Sequence, residues 1–225
     1  MSSRAPSKSV PGHLSGRGVL EPDVLERAKV TTLSRAVLKR DRSLPVPAHF
    51  ADALRGAGVS QGLVRGSVYA IGGTAPVGLA MLLLAEASKS GAWIAWCAPT
   101  PPNPRALLDA GWSLDRFVCI DPQRRWAACM DACVGEFEVV VTQVPAGVPA
   151  GEARRVSAAV ARSNGIVVGL ATRRDVSMPA DVEFRVDASD WNIESGHLQS
   201  QAMRVVLAGR RIADTRRFDA VLAVS

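Results

Sequence analysis

The chain has 225 residues, 48% of them apolar and 21% charged, with a formal net charge of +6. Such a composition excludes a disordered polymer, and the length suits one domain that buries about 70% of its unfolded surface. The longest apolar run, Leu79 to Ala85, falls far short of the roughly 20 residues of a membrane span. Residues 1–20 are rich in Ser, Pro, Gly and Arg and lack the apolar core of a signal peptide. A cytosolic protein without membrane contact is expected.

The charge is unevenly placed. Residues 1–45 hold nine bases and four acids, and residues 199–225 hold five arginines and two aspartates. The ends therefore carry +5 and +3, and the middle about −2. A basic head and tail on a near-neutral core point to an acidic partner, either nucleic acid or an acidic protein face.

In chain order, residues 1–20 read as a disordered basic N-terminus. Val24, Leu25, Ala28, Leu33, Ala36 and Val37 have helical spacing, which predicts a helix over residues 21–41 with Pro22 in its first turn. Leu44-Pro45-Val46-Pro47 breaks it, so residues 21–45 form a helix and linker. His49 to Leu54 predicts a short helix. From Val64 onward, short apolar runs alternate with helical patterns. Strands are expected at Val68–Ile71, Trp93–Cys97, Phe117–Ile120, Phe137–Thr142 and Ile166–Ala171. Helices are expected at Pro76–Ser88, Pro104–Ala110, Arg124–Val134 and Gly151–Ser163. Continuous apolar strands alternating with helices imply a mostly parallel sheet flanked by helices, an α/β core over residues 46–198. Val182–Val186, Met203–Ala208 and Phe218–Val224 have no helices between them and predict antiparallel strands on one edge. The basic C-terminal strands or tail occupy residues 199–225.

Cys97 and Cys119 lie in apolar runs expected to be buried, and Cys129 and Cys133 lie four apart on one helix face. The chain has three His, none near a cysteine pair. The four cysteines therefore read as reduced core thiols, with no metal site expected.

The first strand–turn–helix is where phosphate chemistry would sit. A phosphate loop has the form G-x-x-x-x-G-K-[ST] between a strand and a helix. Here Gly73-Thr74-Ala75-Pro76-Val77-Gly78-Leu79-Ala80 keeps the glycine spacing and the context. Leu79 replaces the phosphate-binding Lys, and Ala80 replaces the hydroxyl that holds Mg²⁺. Pro76 removes one backbone N–H. The strand that should end in a magnesium-supporting acid ends in Thr142. At about 1.5–3 kcal/mol per charged hydrogen bond, losing the Lys, the Mg²⁺ hydroxyl and the Mg²⁺ acid together costs about 4–9 kcal/mol, or about 10³–10⁶ in affinity. No ATP binding, ATPase activity or cofactor is expected.

Leu63 to Gly73 resembles the segment leading into the Walker A loop of RecA, and Phe50 to Gly58 resembles an upstream RecA phrase. The likeness continues through Gly91, the strand ending at Cys97, the Ala110-Gly111 turn and Phe117–Pro122. It covers roughly residues 21–210. A RecA-like core with its nucleotide residues replaced is similar to the ImuA family, in particular its shortened ImuA-prime form. That resemblance implies a non-catalytic, damage-induced accessory protein of error-prone translesion synthesis. Its implied partner is an ImuB-like Y-family protein, and through it a specialised C-family polymerase, with RecA or a second copy as further partners. A SulA-like inhibitor of cell division, acting on the tubulin-like protein FtsZ, and a non-specific DNA-binding protein are the alternatives. RecA's catalytic Glu falls at about Thr100. Of the two loops corresponding to RecA's DNA contacts, Gln143–Gly151 has no Lys or Arg, and Arg173–Pro179 has Arg173 and Arg174. The candidate partner-binding residues are Trp191, Arg204, Arg210, Arg211, Arg216 and Arg217.

Overall fold

The computed structural model describes residues 43–145, 147–171 and 178–224. The basic head and the helix expected over residues 21–41 lie outside the described residues, as do Arg173 and Arg174. Two short strands, β1 (Ser43–Leu44) and β2 (Leu63–Val64), pair antiparallel on either side of α1 (Ala48–Gly56). Then follow β3 (Ser67–Gly73), α2 (Pro76–Lys89), β4 (Ile94–Cys97), α3 (Pro104–Asp109) and a 3₁₀ turn (Leu114–Arg116). The chain continues through β5 (Phe117–Ile120), α4 (Trp126–Cys133), β6 (Val139–Gln143), α5 (Ala150–Ser163) and β7 (Ile166–Leu170). It ends in β8 (Val182–Glu194), β9 (His197–Ala208) and β10 (Arg216–Ala223).

The eight strands from β3 onward form one sheet in the order β10-β9-β8-β3-β7-β6-β4-β5. Every pair from β8 to β5 is parallel, and β9 runs antiparallel to both its neighbours. Helices connect the successive strands from β3 to β7, because a parallel return needs a crossover. This mostly parallel, helix-flanked sheet with antiparallel C-terminal strands is the expected α/β class, and it is consistent with a RecA-like fold.

Successive residues of a strand face opposite sides of a sheet, and here both sides are covered. On one side Tyr69, Ile71, Trp96, Val141, Val168 and Phe184 join Phe50 of α1, Leu79 and Leu83 of α2, and Leu107 of α3. On the other, Val68, Ala70, Cys97, Val140 and Val167 pack under Trp126 and Met130 of α4 and Val156 and Val160 of α5. Two-sided burial is why β6 and β7 read as unbroken apolar runs rather than alternating ones. Among the described residues, no helix is long and apolar enough to cross a membrane.

The sequence expectations need correction at three places. Cys119 is exposed, not buried, because β5 is the edge strand of the sheet. The strands expected at Val182–Val186 and Met203–Ala208 are much longer. β8 and β9 run 13 and 12 residues as a hairpin closed by Ser195-Gly196, both at positive φ (51° and 80°). That is the two-residue turn whose twist matches a hairpin. Residues 187–202, largely exposed and without regular hydrophobic alternation, hid it, since such alternation marks only strands with a buried face. Finally, residues 199–224 are not a detachable tail. Met203, Val205, Leu207, Ala220 and Leu222 are buried in the main core.

Candidate functional site

The carboxyl ends of parallel strands are where α/β sheets place ligand chemistry. At that edge, β3 passes into α2 through the Gly73–Ala80 turn, whose last five residues are the start of the helix. β8 extends the sheet directly beside this turn, with Gly73 in register with Val186. The Thr74 N–H donates to the Val186 carbonyl at 3.2 Å, and the Thr74 hydroxyl lies 3.3 Å from Ser189 Oγ. Gly73 sits at φ +102°, and a Cβ there would fall 2.1 Å from the Val186 oxygen. The turn is thus closed by strand β8. Leu79 and Ala80 are wholly buried in the core beneath it, and Gly78 lies under the Gln201 side chain. The positions where a Lys and a Mg²⁺-binding hydroxyl would reach outward instead hold apolar groups that pack inward.

Thr142 is also built into the interior. Its Oγ1 accepts the Trp126 indole N–H at 2.8 Å, and its hydroxyl donates to the Cys97 carbonyl at 3.0 Å. This pins α4 to the ends of β4 and β6. Thr100 lies exposed in the bend after β4. In the loop after β6, Val144 and Val148 pack against the α4–α5 side of the core.

The candidate partner-binding residues do not form one surface. Trp191 is near the end of β8, past the carboxyl edge of β3. Arg210, Arg211, Arg216 and Arg217 lie at the opposite, amino edge, beside the starts of β3 and β8. Trp191 lies nine residue steps along β8 from Val182, which spans about 30 Å at roughly 3.3 Å per residue. Three of these arginines have internal partners. Arg210 donates to the Ala180 carbonyl at 3.1 Å. Arg211 pairs with Asp181 at 3.2 Å and donates to Ser67 Oγ. Arg216 donates to the Gly56 carbonyl at 3.0 Å. Arg204 and Arg217 are exposed on the side of β9 and β10 that faces away from the α1–α2 core.

The hairpin end carries an apolar cluster that sequence reading found only in part. Trp191, Ile193 and Leu198 are 45%, 61% and 48% exposed. Ile193 pairs directly with Leu198, and Trp191 pairs with Gln201. The signal for Ile193 and Leu198 was the Ser195-Gly196 turn between them, which makes them cross-strand neighbours.

The cysteines give a second feature at the same edge. Cys97 ends β4, and Cys129 and Cys133 lie on α4 above it. Cys97 Sγ is 3.4 Å from Cys129 Sγ and 3.8 Å from Cys133 Sγ. The hydrogen bond with Cys97 holds the Cys133 thiol down to about 7, and the same contact together with burial pushes Cys97 up. Burial pushes Cys129 up. Cys129 also lines an open cleft of about 590 Å³ with Asp121, Pro122, Gln123, Arg124 and Arg125. The i, i+4 cysteine pair was legible in the sequence, but nothing local joined it to Cys97.

No curated protein matches the chain. Residues 57–174 match the family model described as the MT3502 N-terminal domain, a stretch running from the end of α1 through β7 that leaves out β8–β10. The match covers just over half of the 225 residues, and the chain belongs to the MT3502 N-terminal domain family.

Proposed function

We propose that this chain is a non-catalytic, RecA-like accessory protein of the cytoplasm, similar to ImuA-prime, that serves damage-induced error-prone translesion synthesis. It acts by protein contacts, with an ImuB-like Y-family protein as direct partner and a specialised C-family polymerase reached through it. DNA contact is secondary. The observation that carries the non-catalytic part is the closed Gly73–Ala80 turn. Its Thr74 amide is bonded to β8, and the side chains at the Lys and hydroxyl positions are buried and apolar. The projecting apolar end of the β8–β9 hairpin supports the protein-contact part, since exposed aromatic and aliphatic groups of this kind anchor interfaces.

The test pairs a nucleotide titration with partner capture. No MgATP binding at sub-millimolar concentration is expected. A tagged full-length chain recovered from DNA-damaged cells is expected to carry the ImuB-like protein and the polymerase. Measurable MgATP binding in that range overturns the non-catalytic reading. Recovery of FtsZ without the other two replaces the translesion role with a division-inhibitor one.

A further inference from the structure

Cys97, Cys129 and Cys133 form a three-sulfur cluster that the fold assembles from two separate elements. Their ligand atoms all lie within 4.8 Å of one another. A Zn²⁺ ion with Zn–S bonds of about 2.3 Å in tetrahedral geometry needs sulfur separations of about 3.8 Å. Of the two separations from Cys97, 3.8 Å matches that value and 3.4 Å falls slightly below it. A disulfide needs about 2.05 Å and would use only two of the three. The sulfurs are held by paired elements: Cys97 ends β4, which is bonded to β6 and β5, the Cys97 carbonyl accepts from Thr142, and α4 is tied to the same Thr142 through Trp126. Of the three, Cys129 alone lines the neighbouring cleft, which Arg124 and Arg125 also line.

We propose that these three cysteines are a binding site for a single thiophilic divalent cation, Zn²⁺, with a fourth position open to the cleft for a water or small anion. Three thiolates fit a soft or borderline cation and disfavour Mg²⁺ or Ca²⁺, which take oxygen ligands. With Zn²⁺ the site carries a net charge of −1; a monovalent ion such as Cu⁺ would leave −2. The smaller buried charge costs less, and the two arginines of the cleft offset it. On binding, each thiol gives its proton to solvent and its sulfur lone pair to the metal. No oxidant or reductant is required.

The test uses the full-length, reduced, metal-stripped protein, with Zn²⁺ alone as ligand and Co²⁺ as its spectroscopic stand-in. Uptake of one Zn²⁺ per chain is expected, in competition with a chromophoric chelator, together with proton release and a thiolate-to-cobalt charge-transfer band. Zn²⁺ should protect Cys129, the one of the three that lines the cleft, from alkylation while the exposed Cys119 stays reactive. Cys119→Ser should bind as the parent does, and Cys133→Ser and Cys129→Ser should lose uptake while keeping their far-ultraviolet dichroism. Should those variants fail to fold, the parent's cobalt spectrum and the alkylation pattern still decide. Absence of uptake by the folded parent, a cobalt spectrum without thiolate character, or uptake unchanged in a folded Cys133→Ser overturns the site.

Discussion

Tyr69 is the only tyrosine of the chain. It is fully buried, and its hydroxyl oxygen accepts the Val64 N–H at 2.6 Å, joining β3 to β2. Burial pushes its phenol up to about 12 from an ordinary 10. The folded state therefore favours the neutral form. The stability this contributes is fully present below about pH 10 and drains away as pH rises through about 12, by about 3 kcal/mol at most. Because no other tyrosine interferes, the tyrosinate absorbance of the folded protein should show a single transition near 12. The denaturant midpoint should fall above pH 10 in the parent and less steeply in Tyr69→Phe. That variant should itself lose about 1–3 kcal/mol for its orphaned Val64 amide. A tyrosinate transition near 10 in folded protein would contradict this burial. Gly73 makes a second prediction at this scale. Its φ of +102° and its 2.1 Å clearance to the Val186 oxygen leave no room for a Cβ. Gly73→Ala should cost at least about 2–3 kcal/mol in chemical denaturation. Gly151→Ala, in open space on α5, should be neutral or stabilising by up to about 1 kcal/mol.

At the scale of elements, the β8–β9 hairpin combines a structural half with a projecting half. As far as Val186, β8 is sandwiched between β3 and β9; beyond it, β9 is its only ladder partner. The inner half closes the Gly73–Ala80 turn, and the outer half presents Trp191, Ile193 and Leu198 to solvent. Their substitution should therefore separate binding from stability. Trp191→Ala and Ile193→Ser should shift unfolding free energy by no more than about 1 kcal/mol. Each should weaken capture of the partner protein by at least about 10-fold if the hairpin end is an interface anchor. Undiminished capture by both variants would move the contact elsewhere on the molecule. Such a hairpin was hard to read because its outer half has no buried face, so its residues follow no alternation. The helices and parallel strands were legible for the opposite reason: each buries a continuous or periodic apolar set.

For the whole molecule, the sheet order places the chain's last strands in its main core. Ending the chain at Gln199 would remove β10 and most of β9, with Met203, Val205, Leu207, Ala220 and Leu222, and expose β8 as a long unpaired edge. Such a truncation should lose the cooperative unfolding transition that the full chain shows by circular dichroism. A cooperatively folded product would contradict the strand order. The same order explains why the basic C-terminal segment is a poor candidate for a free arm: Arg210, Arg211 and Arg216 are spent on Asp181, Ser67 and the carbonyls of Ala180 and Gly56. By itself the sequence determined the βα alternation, the parallel sheet class and the apolar residues at the Lys and hydroxyl positions of the Gly73–Ala80 turn. All three depend on residue type and spacing within one short segment. Only the tertiary structure decided that β8 closes that turn, that arginines adjacent in the chain point to internal partners, and that Cys97 meets two cysteines more than 30 positions away. Those outcomes follow from which strands become neighbours, and strand order is set by packing across the whole sheet, which no local pattern encodes.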